Sequence, residues 1–308
     1  MLPEHIVNPD GQPPMPFKAA DNYAQTVMAW AQEPLPAGVT AALDIRYGAH
    51  RLHRYNVFYA AGGRLPNVPN VPNAPVLVFW HGGGWTNGYR DYQTFMVQHV
   101  VALGMVLVAP SYRLTPECPL PCAHEDSIAL LADLQRRATD WGGAPDRLYL
   151  AGHSAGGQLA ALAALRQADR AAAGLPDGIV KGCLPISGIM DLHAPDPAPG
   201  SLEERVYTTV LRGRDPLQDT VQSPLFWTAG NHVPFALTYG ENDSPRVIKS
   251  NRRMLAMLQA QAAPASGVME IGRDHFQTHL ALRDGGDAWY VRLAAMVAAT
   301  PATAAGAP

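Results

Sequence analysis

A chain of 308 residues, 47% hydrophobic and 16% charged, with a net charge of -3, holds enough material for one large α/β domain or two small ones around a sizeable core. The absence of a basic stripe excludes an electrostatic binder of nucleic acid or lipid headgroups, and no apolar run approaches the ~18 residues needed to span a bilayer. The start, 1–16, is proline-rich without a charged and then apolar leader, and Cys118, Cys122 and Cys183 form neither an even disulfide set nor a metal-ligand spacing, so a cytoplasmic protein with unpaired thiols is expected.

In chain order, 21–32 has helix-forming composition, with Tyr23, Val27, Met28 and Trp30 on an apolar face, and reads as part of an N-terminal arm (1–40) packed over the domain. Residues 43–47 and 52–60 alternate as a pair of strands joined through Gly48. The loop 62–75 repeats Asn-Val-Pro and is a low-complexity connector. From there short, nearly continuous apolar strands (76–80, 105–109, 148–151, 183–186, 235–239, 268–271) alternate with helical stretches (93–102, 125–138, 155–168, 245–260, 288–298). Such strands are buried on both faces, which requires helices above and below a mostly parallel sheet of about eight strands. The expected fold is therefore α/β, with its core at 41–190 and 232–300. The proline-punctuated 191–231, with one helix-like run at 202–211, reads as a cap insertion shaping substrate access, and 301–308 as a disordered tail.

The strand 148–151 enters the helix after it through Gly152-His153-Ser154-Ala155-Gly156, the Gly-x-Ser-x-Gly of a nucleophile elbow. A turn that tight strains its central residue and admits only small neighbours, and it leaves Ser154 at a helix N-terminus, where developing negative charge is favoured. The bland alternative is a glycine-rich turn with an incidental serine. After the first parallel strand, His81-Gly82-Gly83-Gly84-Trp85 can bring backbone amides close to a ligand, so the amides of Gly83, Gly84 and Ala155 are the expected oxyanion-hole donors. On this fold an acid and then a histidine follow the serine. Asp243 leaves a core strand just before the helix signal Ser244-Pro245, with Glu241 as its rival, and His275 sits in the loop after the last strand. His279, one helical turn on, is expected on a helix flank or in solvent. The pair spaced by four also resembles two zinc ligands, but the glutamate of His-Glu-x-x-His is missing and no third ligand is evident. Trp85, Tyr112, Phe226 and Trp227 are candidate substrate-binding residues, each equally readable as core or cap packing, and His153 is a further candidate that flanks the pocket and reads first as a structural support.

With Ser111-Tyr112-Arg113-Leu114-Thr115-Pro116-Glu117 after the second parallel strand, the chain resembles the α/β-hydrolase superfamily over about 43–298. This run is similar to one in hormone-sensitive-lipase-like carboxylesterases and kynurenine formamidases. Glu241-Asn242-Asp243-Ser244-Pro245, Asp274-His275-Phe276 and His153 resemble the formamidase branch more, whereas Gly84 stands where arylformamidases tend to carry an aromatic residue and esterases a glycine. The resemblance implies a cofactor-independent, metal-free serine hydrolase in which Ser154, His275 and Asp243 cleave a small-molecule ester or aryl formamide. The alternatives are a ligand-binding protein on a hydrolase scaffold and a metal-assisted hydrolase using His275 and His279. The expected partners are a small molecule, neither nucleic acid nor membrane, with a homodimer left open.

Overall fold

The apolar runs become strands wherever helices can cover both faces. The computed structural model describes residues 12–63, 73–213 and 216–300. It begins with α1 (Lys18–Ala31), β1 (Val39–Arg46), β2 (Arg54–Ala60), β3 (Ala74–Trp80), α2 (Val97–Ala102) and β4 (Val106–Pro110). Next come α3 (Cys122–Arg137), β5 (Gly143–His153), α4 (Ala155–Leu165), α5 (Gln167–Ala172), β6 (Val180–Ile186), α6 (Leu202–Arg205) and α7 (Pro216–Val221). The chain continues with β7 (Phe235–Asn242), α8 (Pro245–Gln259), β8 (Ala265–Asp274), α9 (Gln277–Leu280) and α10 (Ala288–Ala298). The Asn-Val-Pro repeats and the tail 301–308 lie outside the described residues.

The eight strands form one sheet in the order β1-β2-β4-β3-β5-β6-β7-β8. The first two run antiparallel to their neighbours and the other pairings are parallel. Alternate side chains of the central strands feed two separate apolar layers. Val76, Val78 and Leu150 point into one, Leu77, Phe79 and Tyr149 into the other. Every residue of α4, which follows β5 into the middle of the molecule, is buried, so this helix is apolar all round rather than striped.

Four expectations are corrected. The last strand was expected to be buried on both faces, but β8 is an edge strand, paired only with β7, and Ile271 is 72% exposed. The stretch 93–102 does not form one helix: residues Arg90–Met96 wind as a tighter 3-10 turn before α2. Likewise the run 202–211 divides between α6 and a π-type turn at Val206–Val210. Finally, Cys118 and Cys122 are joined in a disulfide, their Cα atoms 5.9 Å apart, leaving only Cys183 as a free, buried thiol. The cysteines therefore give no support to a reducing compartment. Among the described residues no helix is long and apolar enough to cross a membrane.

Candidate active site

At the carboxyl end of β5 the backbone reverses through Ser154, which has φ 57° and ψ −118°, a region that L-residues occupy only under constraint. Two hydrogen bonds hold it there: its amide donates to the Ile186 carbonyl (2.9 Å), and its own carbonyl accepts from Gln158 (3.0 Å). The arms of the turn touch where Gly156 passes β3. A Cβ on Gly156 would lie 2.1 Å from the Trp80 carbonyl oxygen and 2.5 Å from that of His81. Both are backbone atoms of a buried strand end and cannot yield. Gly156→Ala is therefore expected to lower unfolding free energy by about 3 kcal/mol or more, as overpacking against fixed backbone does. Urea denaturation measures this, and a loss under about 1 kcal/mol would mean the elbow can open.

β7, β8 and the loop after it deliver the next two groups. His275 Nε2 lies 2.8 Å from Ser154 Oγ, and His275 Nδ1 lies 2.7 Å from Asp243 Oδ1. Since an ionised carboxylate only accepts, the Nδ1 proton points to Asp243 and the Nε2 lone pair faces the serine hydroxyl. Asp243 is held from both sides: the Ser244 amide donates to Oδ1 (3.1 Å), while the Ser187 hydroxyl (2.5 Å) and the Gly240 amide (3.4 Å) donate to Oδ2. Burial works to raise its pKa, but the His275 contact and these donors outweigh burial and hold the carboxyl below its ordinary 3.8. Its rival Glu241 is exposed and accepts from the Gly272 amide instead (2.9 Å). Ser187 carried no signal in the sequence. Its φ of 47° at the end of β6 turns its hydroxyl towards Asp243 and Thr278, and Thr278 Oγ1 donates to the His275 carbonyl (2.8 Å).

Behind His275 lies a buried cluster that joins α1 to α9. His153 Nε2 donates to the His275 carbonyl (2.8 Å), Tyr23 from α1 bonds His279 Nδ1 (2.8 Å), and the His153 and His279 rings stack 5.0 Å apart. His279 was expected on a helix flank or in solvent, yet it is completely buried, because α9 folds inward against Phe79 and α1 covers it. Around the site burial lowers three imidazoles from 6.5, as it does His53 and His124 elsewhere: His81 to about 4, His279 to about 3, and His153 well below it, the last pushed further by His275 and His279. A base kept neutral in the fold takes up its proton in the unfolded chain. Stability is thus fully present above 6.5 and declines as pH falls towards the folded values. At pH 5, His81 and His279 each cost about 2 kcal/mol. Urea titrations from pH 7 to 5 are expected to show this decline, shallower by about one proton in His279→Phe; an unchanged slope would contradict it.

The loop after β3 curls back on itself, the amides of Thr86 (3.1 Å) and Asn87 (3.0 Å) both donating to the Gly83 carbonyl. Gly83 has φ 126°, and a Cβ there would meet the Asn87 carbonyl oxygen at 2.0 Å, so only glycine keeps this curl. The amides of Gly83 and Gly84 donate to no carbonyl among the described residues, and Ala155, the first residue of α4, has no intrahelical acceptor. Gly83, Gly84, Ser154 and His275 share the wall of a cavity of about 300 Å³. The N-terminal segment contributes Phe17 and Ala20 to this cavity, and the segment between β6 and β7 contributes Leu202, Val206 and Val210.

Of the expected substrate-binding residues, Trp85 and His153 line this cavity, Trp85 anchored by Nε1 donating to Gln158 Oε1 (3.0 Å). The other three do not. Tyr112 is buried beneath the loop, stacked 4.3 Å from His81 with its hydroxyl on the His81 carbonyl (3.0 Å), so it supports the loop from behind. Phe226 is 45% exposed, and Trp227 lies under the Arg166 guanidinium (4.5 Å) with Nε1 on the Val221 carbonyl. The turn Pro224–Trp227 buries Leu225 and thereby faces both rings away from the cavity. Among the described residues no group of three or more His, Cys, Asp or Glu could hold a metal ion.

The chain is 29% identical over 252 residues to Esterase LipQ of Mycobacterium tuberculosis, covering 76% of this chain and 60% of that protein. It is 41% identical over 91 residues to Carboxylesterase NlhH of the same species, covering 29% and 28%. It thus spans less than two thirds of the length of these curated relatives. The fold is shared with EstE1, a thermophilic and thermostable carboxylesterase cloned from a metagenomic library, at a TM-score of 0.73 and 22% identity over 92% of this chain and 97% of that one. A family profile described as alpha/beta hydrolase fold matches residues 77–270, from β3 into β8, and with the parallel sheet and the elbow described above this places the chain in the α/β-hydrolase family.

Proposed function

We propose that this protein is a serine hydrolase of small carboxylic esters. The reading is carried by the hydrogen-bonded series Asp243, His275, Ser154 ending beside the amides of Gly83 and Gly84, which donate to no carbonyl among the described residues. As Ser154 Oγ attacks the ester carbonyl carbon, His275 Nε2 takes its proton and Asp243 stabilises the imidazolium. The carbonyl oxygen, now anionic, accepts from Gly83, Gly84 and Ala155, each such donor contributing about 10²–10³ in turnover. Collapse breaks the bond to the alcohol oxygen, which leaves with the proton from His275. Water, deprotonated by His275, then releases the acid and restores Ser154.

The esterase names of LipQ and NlhH, together with glycine at position 84, favour an ester over an aryl formamide. A cavity of about 300 Å³ is at the small end for ligand sites and suits a short acyl chain. The test is covalent labelling of Ser154 by a fluorophosphonate, with kcat/KM compared on para-nitrophenyl butyrate, para-nitrophenyl laurate and N-formylkynurenine. Labelling with preference for butyrate is expected. Folded protein that neither labels nor turns over any of the three would overturn the reading, and preference for the formamide would move it to the arylformamidase branch.

A further inference from the structure

Two arginines, Arg205 and Arg246, stand on the wall of the cavity that holds Ser154, the first without an ion pair among the described residues and the second with only a loose one. Arg246, in the first turn of α8, is fixed by Nε donating to the Asp191 carbonyl (3.1 Å). Its Nη1 makes only a loose ion pair with Glu203 (3.9 Å), beyond hydrogen-bond distance, and its buried Nη2 has no hydrogen-bond partner among the described residues. Arg205, at the end of α6, reaches only a neutral group, the Thr86 hydroxyl (3.3 Å) beside the Gly83 loop, and has no ion pair among the described residues. Both side chains are part-buried, and a sheltered guanidinium with donors to spare is suited to an anionic ligand entering the cavity.

We propose that Arg205 and Arg246 form a subsite for a carboxylate, so that the preferred substrates of this site are esters carrying a free carboxylate on an apolar body. The proposal rests on the esterase reading for its turnover and on the two arginines for its specificity. A guanidinium fork matches the two oxygens of a carboxylate. Glu203 and Asp274 on the same wall disfavour a dianion such as a phosphate monoester more than a single negative charge. The rest of the wall, including Phe17, Leu202, Val206 and Val210, is apolar and suits a hydrocarbon or aromatic body.

Two matched pairs test this: para-nitrophenyl hydrogen glutarate against para-nitrophenyl pentanoate, with the acid on the acyl side, and para-acetoxybenzoate against para-acetoxytoluene, with the acid on the leaving group. After correction for hydroxide reactivity, the anionic member of one pair is expected to have a kcat/KM roughly tenfold higher or more, mainly through KM, as a new charge pair in a sheltered site provides. In Arg205→Gln and Arg246→Gln the ratio should collapse towards one, and a ratio is insensitive to any fraction of unfolded variant. Equal or reversed preference in both wild-type pairs, or a preference surviving both variants, would overturn the subsite while leaving the esterase reading intact. Calorimetric binding of para-toluate reads the subsite without turnover. Affinity should fall about tenfold in either variant, and undiminished affinity in both would overturn it even if no ester were cleaved.

Discussion

Ser154→Ala is expected to reduce kcat on a short para-nitrophenyl ester by about 10⁴-fold or more, to the residual rate that binding and the amide donors supply alone. The loss is this large because, among the described residues, Ser154 Oγ is the only hydroxyl bonded to His275 Nε2. The fold should not suffer. Alanine keeps the Cβ that the backbone at φ 57° already accommodates, and Ser154 is held by its amide and carbonyl rather than by its hydroxyl. Unfolding free energy should therefore stay within about 0.5 kcal/mol of wild type. Steady-state kinetics and denaturation on the same preparation separate the two effects. Activity within tenfold of wild type in a folded variant would remove Ser154 from the chemistry.

Asp243→Asn is expected to cost about 10³–10⁴ in kcat with little change in KM. The two carboxylate oxygens face only donors: His275 and the Ser244 amide on one, the Ser187 hydroxyl and the Gly240 amide on the other. A carboxamide must set its NH2 against one of these pairs. Turned to His275, it binds Nδ1 as an acceptor and forces the proton onto Nε2, so the imidazole can no longer accept from Ser154. Turned to Ser187, it keeps the tautomer but still lacks the charge that stabilises the imidazolium. The folded carboxyl lies below its ordinary value, so its contribution to stability is present above 3.8 and is lost only as pH falls further. Protonation of Asp243 therefore does not set the acid limb of the rate profile. Neutral-pH turnover of the asparagine variant within tenfold of wild type would assign the carboxylate role elsewhere, with Glu241 the nearest alternative in sequence.

The parts of this site legible in the sequence are those dictated by backbone sterics over a few residues. Gly152 and Gly156 flank Ser154 because the turn admits no Cβ where Gly156 meets the Trp80 carbonyl, and Gly83 is required by a loop that curls onto Asn87. Asp243 and His275 followed from strand order, since α/β sheets gather loops at the carboxyl ends of parallel strands. The aromatic residues were poorly legible. Tyr112, Phe226 and Trp227 lie in loops near the site in sequence, but which way each ring turns depends on what packs behind it.

The chain's own alternation of apolar strands and helices, its glycine spacing and its order of serine, acid and histidine determined the architecture and named the three side chains that the fold joins by hydrogen bonds. Tertiary structure alone decided that Tyr23 of the first helix would bond His279 near the other end of the chain, that Ser187 would hold Asp243, and that Arg205 and Arg246 would face one cavity. It also decided that Cys118 would pair with Cys122 and that β8 would lie at an edge. The division has a physical origin. Backbone strain and strand period are local and leave a fixed spacing, whereas burial and hydrogen-bond partnership depend on which distant surfaces meet, and no spacing along the chain records that.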